Sequence, residues 1–170
     1  AASLFLNGLP AEDHRLMAVF DASGIEHRHV CMPLEWYSEP HDFAESNARY
    51  VENALALSQQ AAGRALDAAG LKPADIDHLL FVSTTGLSTP SIDARLMNVL
   101  PFRSDLRRTP IWGLGCAGGA AGLALARDLA LADPQARVLL VAIELCTLTF
   151  QRGDLDRRNL VAASLFSDGA

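Results

Sequence analysis

Short apolar runs that alternate with helix-like patterns constrain this chain more than any other feature of its sequence. Residues 78–83 read HLLFVS, and residues 137–143 read RVLLVAI. Continuous apolar runs of this length are typical of strands that are buried on both faces, as in parallel sheets covered by helices. Helical spacing of apolar residues precedes and separates the two runs. The sequence therefore predicts an α/β fold with a mainly parallel sheet.

The other elements follow from apolar spacing and from the residues that begin and end helices. We expect a third, brief strand at residues 109–112 and an irregular surface connection at residues 31–45, where prolines and acidic residues interrupt any pattern. The clearest helix ends before Gly70, which stands where a carboxy-terminal cap is expected. The predicted helices cover residues 10–22, 46–69, 91–100 and 117–132.

Length and charge restrict the class of protein. The chain has 170 residues, half of them hydrophobic, which suits one globular domain. It carries 14 basic and 20 acidic side chains, a net charge of −6, and no basic stripe that would neutralise a phosphate backbone. The longest uncharged stretch, residues 109–126, includes Pro110 and five glycines, whereas a membrane span needs about 20 predominantly apolar residues. We therefore expect neither nucleic-acid binding nor a membrane span.

Cysteine usage indicates the redox compartment. Cys31, Cys116 and Cys146 are odd in number, widely spaced and form no C-x-x-C motif. This pattern argues against both a disulfide framework and a zinc site. The histidines, cysteines and acidic residues also show no metal-ligand spacing. We expect a protein without metal or cofactor in a reducing cytoplasm.

A glycine-rich segment, residues 113–122 (GLGCAGGAAG), carries most of the functional information. In one interpretation its small residues let a helix pack closely on a sheet, and Cys116 is a buried small hydrophobe. In another, Cys116 is a nucleophile at a strand-to-helix turn, where free amide groups and the helix dipole favour the thiolate and can bind an oxyanion. Flanking glycines would let a substrate approach the backbone. Spacing alone leaves both interpretations open.

A third interpretation of the same segment is a dinucleotide site. Gly113, Gly115 and Gly118 fit the pattern G-x-G-x-x-G, and Glu144 ends the next strand, where an acid that binds ribose is expected. Pro110 argues against this interpretation, because it removes a hydrogen-bond donor from the strand that should precede the glycines. The sequence keeps a dinucleotide-binding α/β module only as the alternative function.

Four separate motifs, spread over the chain in a fixed order, indicate a family. They are VSTTGLSTP at 82–90, WGLGCAGGAAGL at 112–123, ELCTLTFQR at 144–152 and NLVAASLFSDGA at 159–170. With these motifs the sequence resembles the type III polyketide synthases, the chalcone synthase-like branch of the thiolase superfamily. The motif GLGCAGG is more similar to the motif of bacterial members than to that of plant members. The resemblance covers nearly the whole chain and is weakest between residues 31 and 45.

The resemblance implies roles for individual residues. Cys116 matches the family's acyl-accepting nucleophile, in agreement with the thiolate argument. Phe166 matches one of two gatekeeper phenylalanines, which separate the CoA tunnel from the cavity where the polyketide grows; the alternative is an ordinary core phenylalanine. Four further residues match the cavity wall and would shape starter choice and product length, unless they are simply small buried residues: Thr84, Thr85, Cys146 and Thr149.

Other positions concern partners and CoA. Thr89 matches a loop position that reaches across the family's dimer interface, so the resemblance implies a homodimer; otherwise Thr89 is a plain exposed threonine. Arg15 matches one of the basic residues that bind the CoA phosphates, but Ala18 and Ala22 occupy other such positions. Arg28 matches an arginine that we expect to be structural.

The family reaction is a decarboxylative condensation of malonyl-CoA onto an acyl-CoA starter, leading to resorcinols, pyrones or chalcone-like rings. A histidine and an asparagine stabilise the enolate oxygen in the family, and both come from its carboxy-terminal half. Here all five histidines precede Cys116, so neither donor is assigned. The resemblance implies a thiolase-like layered α/β/α fold, the first half of a two-half architecture. Residues 1–170 would be most of the amino-terminal domain, with the carboxy-terminal half absent.

Overall fold

A three-stranded parallel sheet forms the centre of the protein in a computed structural model, which describes residues 14–151, 154 and 156–170, with the side chains of residues 14–17 excepted. The strands are β1 (His78–Val82), β2 (Arg107–Ile111) and β3 (Val138–Ala142), in the order β2-β1-β3. In this register His78 lies opposite Arg107 on one side and Val138 on the other. The predicted α/β class and the parallel sheet are confirmed.

Strand β1 lies in the middle of the sheet and is the most buried. Leu79 and Leu80 are fully buried on opposite faces, because successive strand residues point to opposite sides. Strand β2 lies at the edge and is largely exposed. Pro110 lies in β2 and pairs with Phe81, and an edge strand tolerates a proline because one side of its backbone needs no partner.

The longest helix, α2 (Phe43–Ala69), has a cap at each end. The Asp42 carboxylate accepts a hydrogen bond from the Glu45 amide at 2.8 Å, which begins the helix three residues before the predicted start. Gly70 closes it in the left-handed conformation with φ of 65°, as predicted. Residues four apart form its buried stripe: Tyr50, Ala54, Ser58, Ala62 and Leu66.

Helix α4 (Gly118–Ala132) packs on β1 and β3 through glycines. A Cβ atom at Gly118 would lie 2.6 Å from Val82 Cγ1, and one at Gly122 would lie 2.8 Å from Leu140 Cδ1. The backbone of α4 therefore approaches the sheet more closely than any larger residue permits. On other faces of α4, Leu123 and Leu131 remain about two-thirds exposed.

The remaining helices are α1 (His14–Ala22), α3 (Ile92–Val99) and α5 (Arg157–Leu165). Helix α1 contacts α5, and α3 contacts α2. A second, antiparallel sheet pairs β4 (Glu144–Leu145) with β5 (Asp168–Gly169). Among the residues that the structure describes, none of the helices combines the length and apolarity of a membrane span.

The segment from residue 31 to residue 42 is irregular, as predicted, apart from a short 3₁₀ turn at Trp36–Ser38. Its prediction as a surface connection is wrong for Tyr37, which is only 4% exposed. The Tyr37 hydroxyl lies 2.7 Å from Thr147 Oγ1. A partner 110 residues further along the chain therefore holds the ring in the interior.

Candidate active site

Cys116 lies in a 3₁₀ turn, Gly115–Ala117, that connects strand β2 to helix α4. Gly113 and Gly115 have φ angles of 83° and 52°, conformations that side chains rarely adopt. These glycines let the chain turn sharply and enter the helix. The Cys116 thiol is free and exposed. The thiol is thus accessible in this chain, as the nucleophile interpretation requires.

Threonines at the end of β1 hold the turn that carries Cys116. The Gly115 amide donates a hydrogen bond to Thr84 Oγ1 at 3.2 Å. The carboxylate of Glu144 accepts hydrogen bonds from the amides of Thr84 and Thr85 at 3.1 and 3.0 Å. Since β1 and β3 are parallel, their carboxyl ends meet at one edge of the sheet, beside the nucleophile turn.

The same contacts argue against the dinucleotide interpretation. One oxygen of Glu144 already accepts two backbone hydrogen bonds, so the carboxylate is directed toward its own protein rather than toward a ribose. In addition, Pro110 lies in an exposed edge strand, not in the long buried strand that a dinucleotide site follows. The match to G-x-G-x-x-G is therefore a match of residue types only. Gly113 and Gly115 form the turn before α4, and Gly118 lets α4 pack closely on the sheet.

Two cavities open near this edge and contain all the predicted wall residues. We call the first, of about 210 Å³, the Phe166 cavity. Its walls are formed by Arg28, Val30, Leu34, Cys146, Thr147, Thr149, Phe150, Asn159, Ala162, Ala163 and Phe166. Phe166 itself is 46% exposed. Phe166 thus lies at the cavity wall, partly open to solvent in this chain.

The second cavity, here the Thr84 cavity, has a volume of about 340 Å³. Its walls are formed by Phe43, Ser46, Asn47, Thr84, Thr85, Gly86, Leu87, Trp112, Leu148, Thr149 and Gln151. Thr149 lines both cavities, whereas Thr84 and Cys146 line one each. The four residues predicted for one wall are thus divided between two neighbouring spaces that meet at Thr149.

The other two thiols differ from Cys116 in their surroundings. Burial raises the pKa of Cys146 to about 11, and the negative charges of Glu144, Asp168 and Cys116 add to the effect. Burial, followed by the charge of Asp168, raises the pKa of Cys31 to about 12. Neither buried cysteine is suited to act as a nucleophile near neutral pH.

The remaining predicted residues lie apart from the nucleophile turn or outside the described side chains. Thr89 is exposed in a loop. Arg95 stabilises this loop, because its Nε donates a hydrogen bond to Pro90 O at 3.1 Å. The Arg28 guanidinium donates to Ser164 O, which fits a structural role, and it also lines the Phe166 cavity. The backbone of Arg15 belongs to α1, but its side chain lies outside the described residues, so its role in CoA binding stays a prediction.

Two of the described histidines, His78 and His41, have contacts away from Cys116. His78 begins β1, at the strand end opposite to the one that holds the nucleophile turn. His41 Nε2 contacts Trp36 O at 2.8 Å, and its Nδ1 lies 3.0 Å from Glu45 Oε2. These contacts raise the pKa of His41. Within the described part of the chain, no three His, Cys, Asp or Glu side chains are grouped to hold a metal ion.

Sequence reasoning missed two parts of this arrangement. The sequence suggests only a ribose-binding role for Glu144, although Glu144 supports the loop that holds Cys116. It suggests no role for Asp168, although this residue is 6% exposed and accepts hydrogen bonds from two distant segments. A buried acid without an obvious partner in the sequence gives no periodic signal, so only the tertiary contacts identify it.

The fold and the site define a thiolase-like domain that presents a cysteine at the start of a glycine-packed helix. Comparison with known proteins specifies the family: residues 10–170 match the model of the chalcone and stilbene synthases, N-terminal domain. The chain belongs to this family, whose solved members resembling it are type III polyketide synthases.

Individual relatives support the assignment. A Bacillus subtilis (strain 168) relative, named for chalcone synthase, is 47% identical over 91% of this chain and 44% of its own length. The 1,3,6,8-tetrahydroxynaphthalene synthase of Streptomyces peucetius subsp. caesius is 45% identical over 95% of this chain and 43% of its own length. The crystal structure of the Streptomyces coelicolor A3(2) synthase of that name has a TM-score of 0.89 and 36% identity, covering 94% of this chain and 46% of that one. The chain thus spans less than half the length of these relatives.

Proposed function

We propose that Cys116 is the acyl-accepting nucleophile of a type III polyketide synthase that extends an acyl-CoA starter with malonyl-CoA. The observation that carries the proposal is the placement of an exposed thiol at the amino-terminal end of α4, in a turn that is hydrogen-bonded to Thr84, a residue of one cavity wall. The family supports the same reaction class.

The proposed reaction begins with attack of the Cys116 thiolate on the thioester carbon of an acyl-CoA. The bond from that carbon to the CoA sulfur breaks, CoA leaves as a thiolate, and an acyl-enzyme forms. Malonyl-CoA then loses carbon dioxide, and the resulting enolate carbon attacks the acyl-enzyme carbonyl. The new carbon–carbon bond gives a β-ketoacyl-CoA, and the Cys116 thiolate is released for a further cycle.

The arrangement of the chain supports parts of this mechanism. The amino terminus of a helix carries unpaired amide groups and the positive end of the helix dipole, which favour negative charge on a bound oxygen. The Phe166 and Thr84 cavities supply space for the acyl chain on both sides of Thr149. In this proposal Phe166 separates that space from the CoA tunnel, and Cys146, Thr84, Thr85 and Thr149 line it.

The proposal also includes the setting of the enzyme. We expect a homodimer in which Thr89 approaches the partner's cavity, no metal or organic cofactor, and Arg15 as a contact to CoA. A cytoplasmic location fits three free thiols, because such thiols persist in a reducing compartment. The product class is a resorcinol, a pyrone or a chalcone-like ring.

The test compares Cys116→Ala with Cys146→Ala and Cys31→Ala in a complete enzyme that contains this chain. We expect the first variant to form no acyl-enzyme and no extended product, because the bond to sulfur cannot form. The matched cysteine variants should retain condensation. Mass spectrometry of the acylated peptide and product analysis with labelled malonyl-CoA give the two readouts. Chain extension by Cys116→Ala above a trace of the parent rate would contradict the assignment, whereas residual decarboxylation of malonyl-CoA would not.

A further inference from the structure

Asp168 is a buried acid that the proposed reaction does not use. Its side chain is only 6% exposed, and three hydrogen bonds satisfy its carboxylate. Oδ1 accepts from the Thr147 amide at 2.8 Å, and Oδ2 accepts from Thr147 Oγ1 at 2.5 Å and from the Cys31 amide at 2.8 Å. Hydrogen bonds to an ionised acceptor are shorter and stronger than those between neutral groups.

These bonds connect three segments that are far apart in the sequence. Cys31 and Asp168 are separated by 137 residues, and Thr147 and Asp168 by 21. The backbone of the last segment supports the same arrangement, because the Asp168 amide donates to His29 O at 3.0 Å. The Thr147 hydroxyl also contacts the Tyr37 hydroxyl at 2.7 Å. We call Asp168, Thr147, Cys31 and Tyr37 the Asp168 cluster.

The joined segments form much of the wall of the Phe166 cavity. Val30 and Leu34 flank the Cys31 segment, Cys146 and Thr149 lie in the turn that Thr147 belongs to, and Phe166 stands two residues before Asp168. Asp168 itself does not line the cavity. Its carboxylate accepts hydrogen bonds from the Cys31 segment and from the Thr147 turn, and thus joins two parts of the wall.

We infer that Asp168 is a positioning residue that sets the width of the Phe166 cavity and thereby selects among acyl chains of different length. This inference rests on the proposed function for its effect on substrates. The structural part of the inference is that the carboxylate holds the Cys146–Thr149 turn in place. This part depends only on the hydrogen bonds between Asp168 and Thr147. A change in wall spacing should affect long acyl chains more than short ones, because a long chain fills the cavity and a short one does not.

The test uses Asp168→Asn, Thr147→Val and the control Thr147→Ser in the complete enzyme. Asparagine keeps the size of aspartate, but its NH₂ group cannot accept a hydrogen bond from a backbone amide. Valine removes the Thr147 hydroxyl with little change in shape, whereas serine retains it. Folding is monitored by the melting temperature. Two further readouts are the alkylation rate of Cys146 relative to Cys116, and the ratio of kcat/KM for dodecanoyl-CoA to that for acetyl-CoA.

We expect Asp168→Asn and Thr147→Val each to raise the relative alkylation rate of Cys146 and to shift the kcat/KM ratio, each by about fivefold, the factor that corresponds to one lost hydrogen bond. Thr147→Ser keeps the hydroxyl that donates to Asp168, so it should keep the relative alkylation rate of Cys146 close to that of the parent. Folded variants with unchanged alkylation and an unchanged ratio would overturn the inference. An equal loss with both starters would also overturn it, since this indicates a purely structural role.

The design separates this inference from the proposed function. If Cys116→Ala continued to condense, the proposed function would fail, while the alkylation of Cys146 would still decide whether Asp168 holds the turn. If Asp168→Asn did not fold, Thr147→Val with its serine control would decide alone, because the loss of one hydroxyl leaves the buried carboxylate two backbone donors.

Discussion

Three cysteines in one chain acquire different chemistry from their surroundings. Cys116 is exposed at a helix start, whereas Cys31 and Cys146 are partly buried beside carboxylates. Removing a thiolate from water and placing it near negative charge both disfavour ionisation, so both effects raise the pKa of a thiol. The reactivity of each residue is thus set by where the fold places it and not by its residue type.

These differences predict the selectivity of alkylation. With a pKa of about 11, Cys146 has about one thiolate in a thousand molecules at pH 8, and its labelling rate should rise about tenfold per pH unit until the pKa is approached. We expect iodoacetamide at pH 8 to modify Cys116 well before Cys146 or Cys31. Peptide mass spectrometry over time measures this, with urea-unfolded protein as the control in which the three rates converge. Equal rates in the folded protein would contradict the pKa assignments.

At the scale of elements, helix α4 shows how glycine determines packing. Gly118 and Gly119 are neighbours, yet a Cβ atom at Gly118 would lie 2.6 Å from Val82 Cγ1, and one at Gly119 would meet nothing within 4 Å. The two glycines therefore form a matched pair. One faces the sheet, and the other faces away from it.

The pair gives a prediction for stability. Gly118→Ala should destabilise the enzyme by about 1 to 3 kcal/mol, because the added methyl group overpacks the contact with Val82. Gly119→Ala should be neutral or stabilising by up to about 1 kcal/mol, because alanine lowers the entropy of the unfolded chain. Denaturant unfolding of the two variants measures the difference. A Gly118→Ala variant as stable as Gly119→Ala would show that α4 lies further from the sheet than described.

The turn Cys146–Thr149 is the second element with a testable consequence, since Thr149 lines both cavities. We expect Thr149→Phe in the complete enzyme to shorten the polyketide or favour smaller starters, because the ring occupies space in either cavity. Overpacking is expected to cost about 1 to 3 kcal/mol. Product analysis with several acyl-CoA starters tests this, with Thr149→Ser as the control. A folded Thr149→Phe variant with an unchanged product spectrum would remove Thr149 from the cavity wall.

At the scale of the whole molecule, the chain exposes apolar surface that a stable monomer would cover. Trp112 is 62% exposed, and on α4 Leu123 and Leu131 are 64% and 66% exposed. Large exposed apolar groups of this kind mark surfaces that associate. The relatives are more than twice as long as this chain, which agrees with an architecture in which further structure packs on this domain.

The 170-residue chain expressed alone should therefore neither condense malonyl-CoA nor behave as a clean monomer. Loss of a single donor to a developing oxyanion typically costs about 100- to 1,000-fold in rate, and the resemblance assigns both donors to the carboxy-terminal half of the family. The measurements are carbon dioxide release from malonyl-CoA and the elution volume on a sizing column, with the complete enzyme as the control. Turnover comparable to the complete enzyme would show that the donors lie within this chain, and a monodisperse monomer would show that its apolar surface is tolerated.

Most of the secondary structure could be predicted because the signals are local. The run at residues 78–82 became the central strand, and Gly70 became a left-handed cap, since apolar burial and backbone conformation depend on neighbouring residues. Boundaries shifted by a few residues where a cap decided them, as at Asp42. The sequence predicts a surface position for the segment around Tyr37, whereas Tyr37 is buried. Its burial involves a contact with Thr147, a residue far along the chain, and local patterns do not encode such a contact.

The sequence by itself determined the order of the elements, the close packing of α4 and the position of Cys116 at a helix start, because residue type and spacing encode these features. Only the tertiary structure decided that Cys116 is more exposed than Cys146, that Thr149 lines two cavities, and that Glu144 and Asp168 accept hydrogen bonds from backbone amides of other segments. These features depend on hydrogen bonds and packing between segments that are more than 100 residues apart, such as those of Cys31 and Asp168. Local spacing cannot encode such contacts, because they exist only once the sheet has brought the segments together.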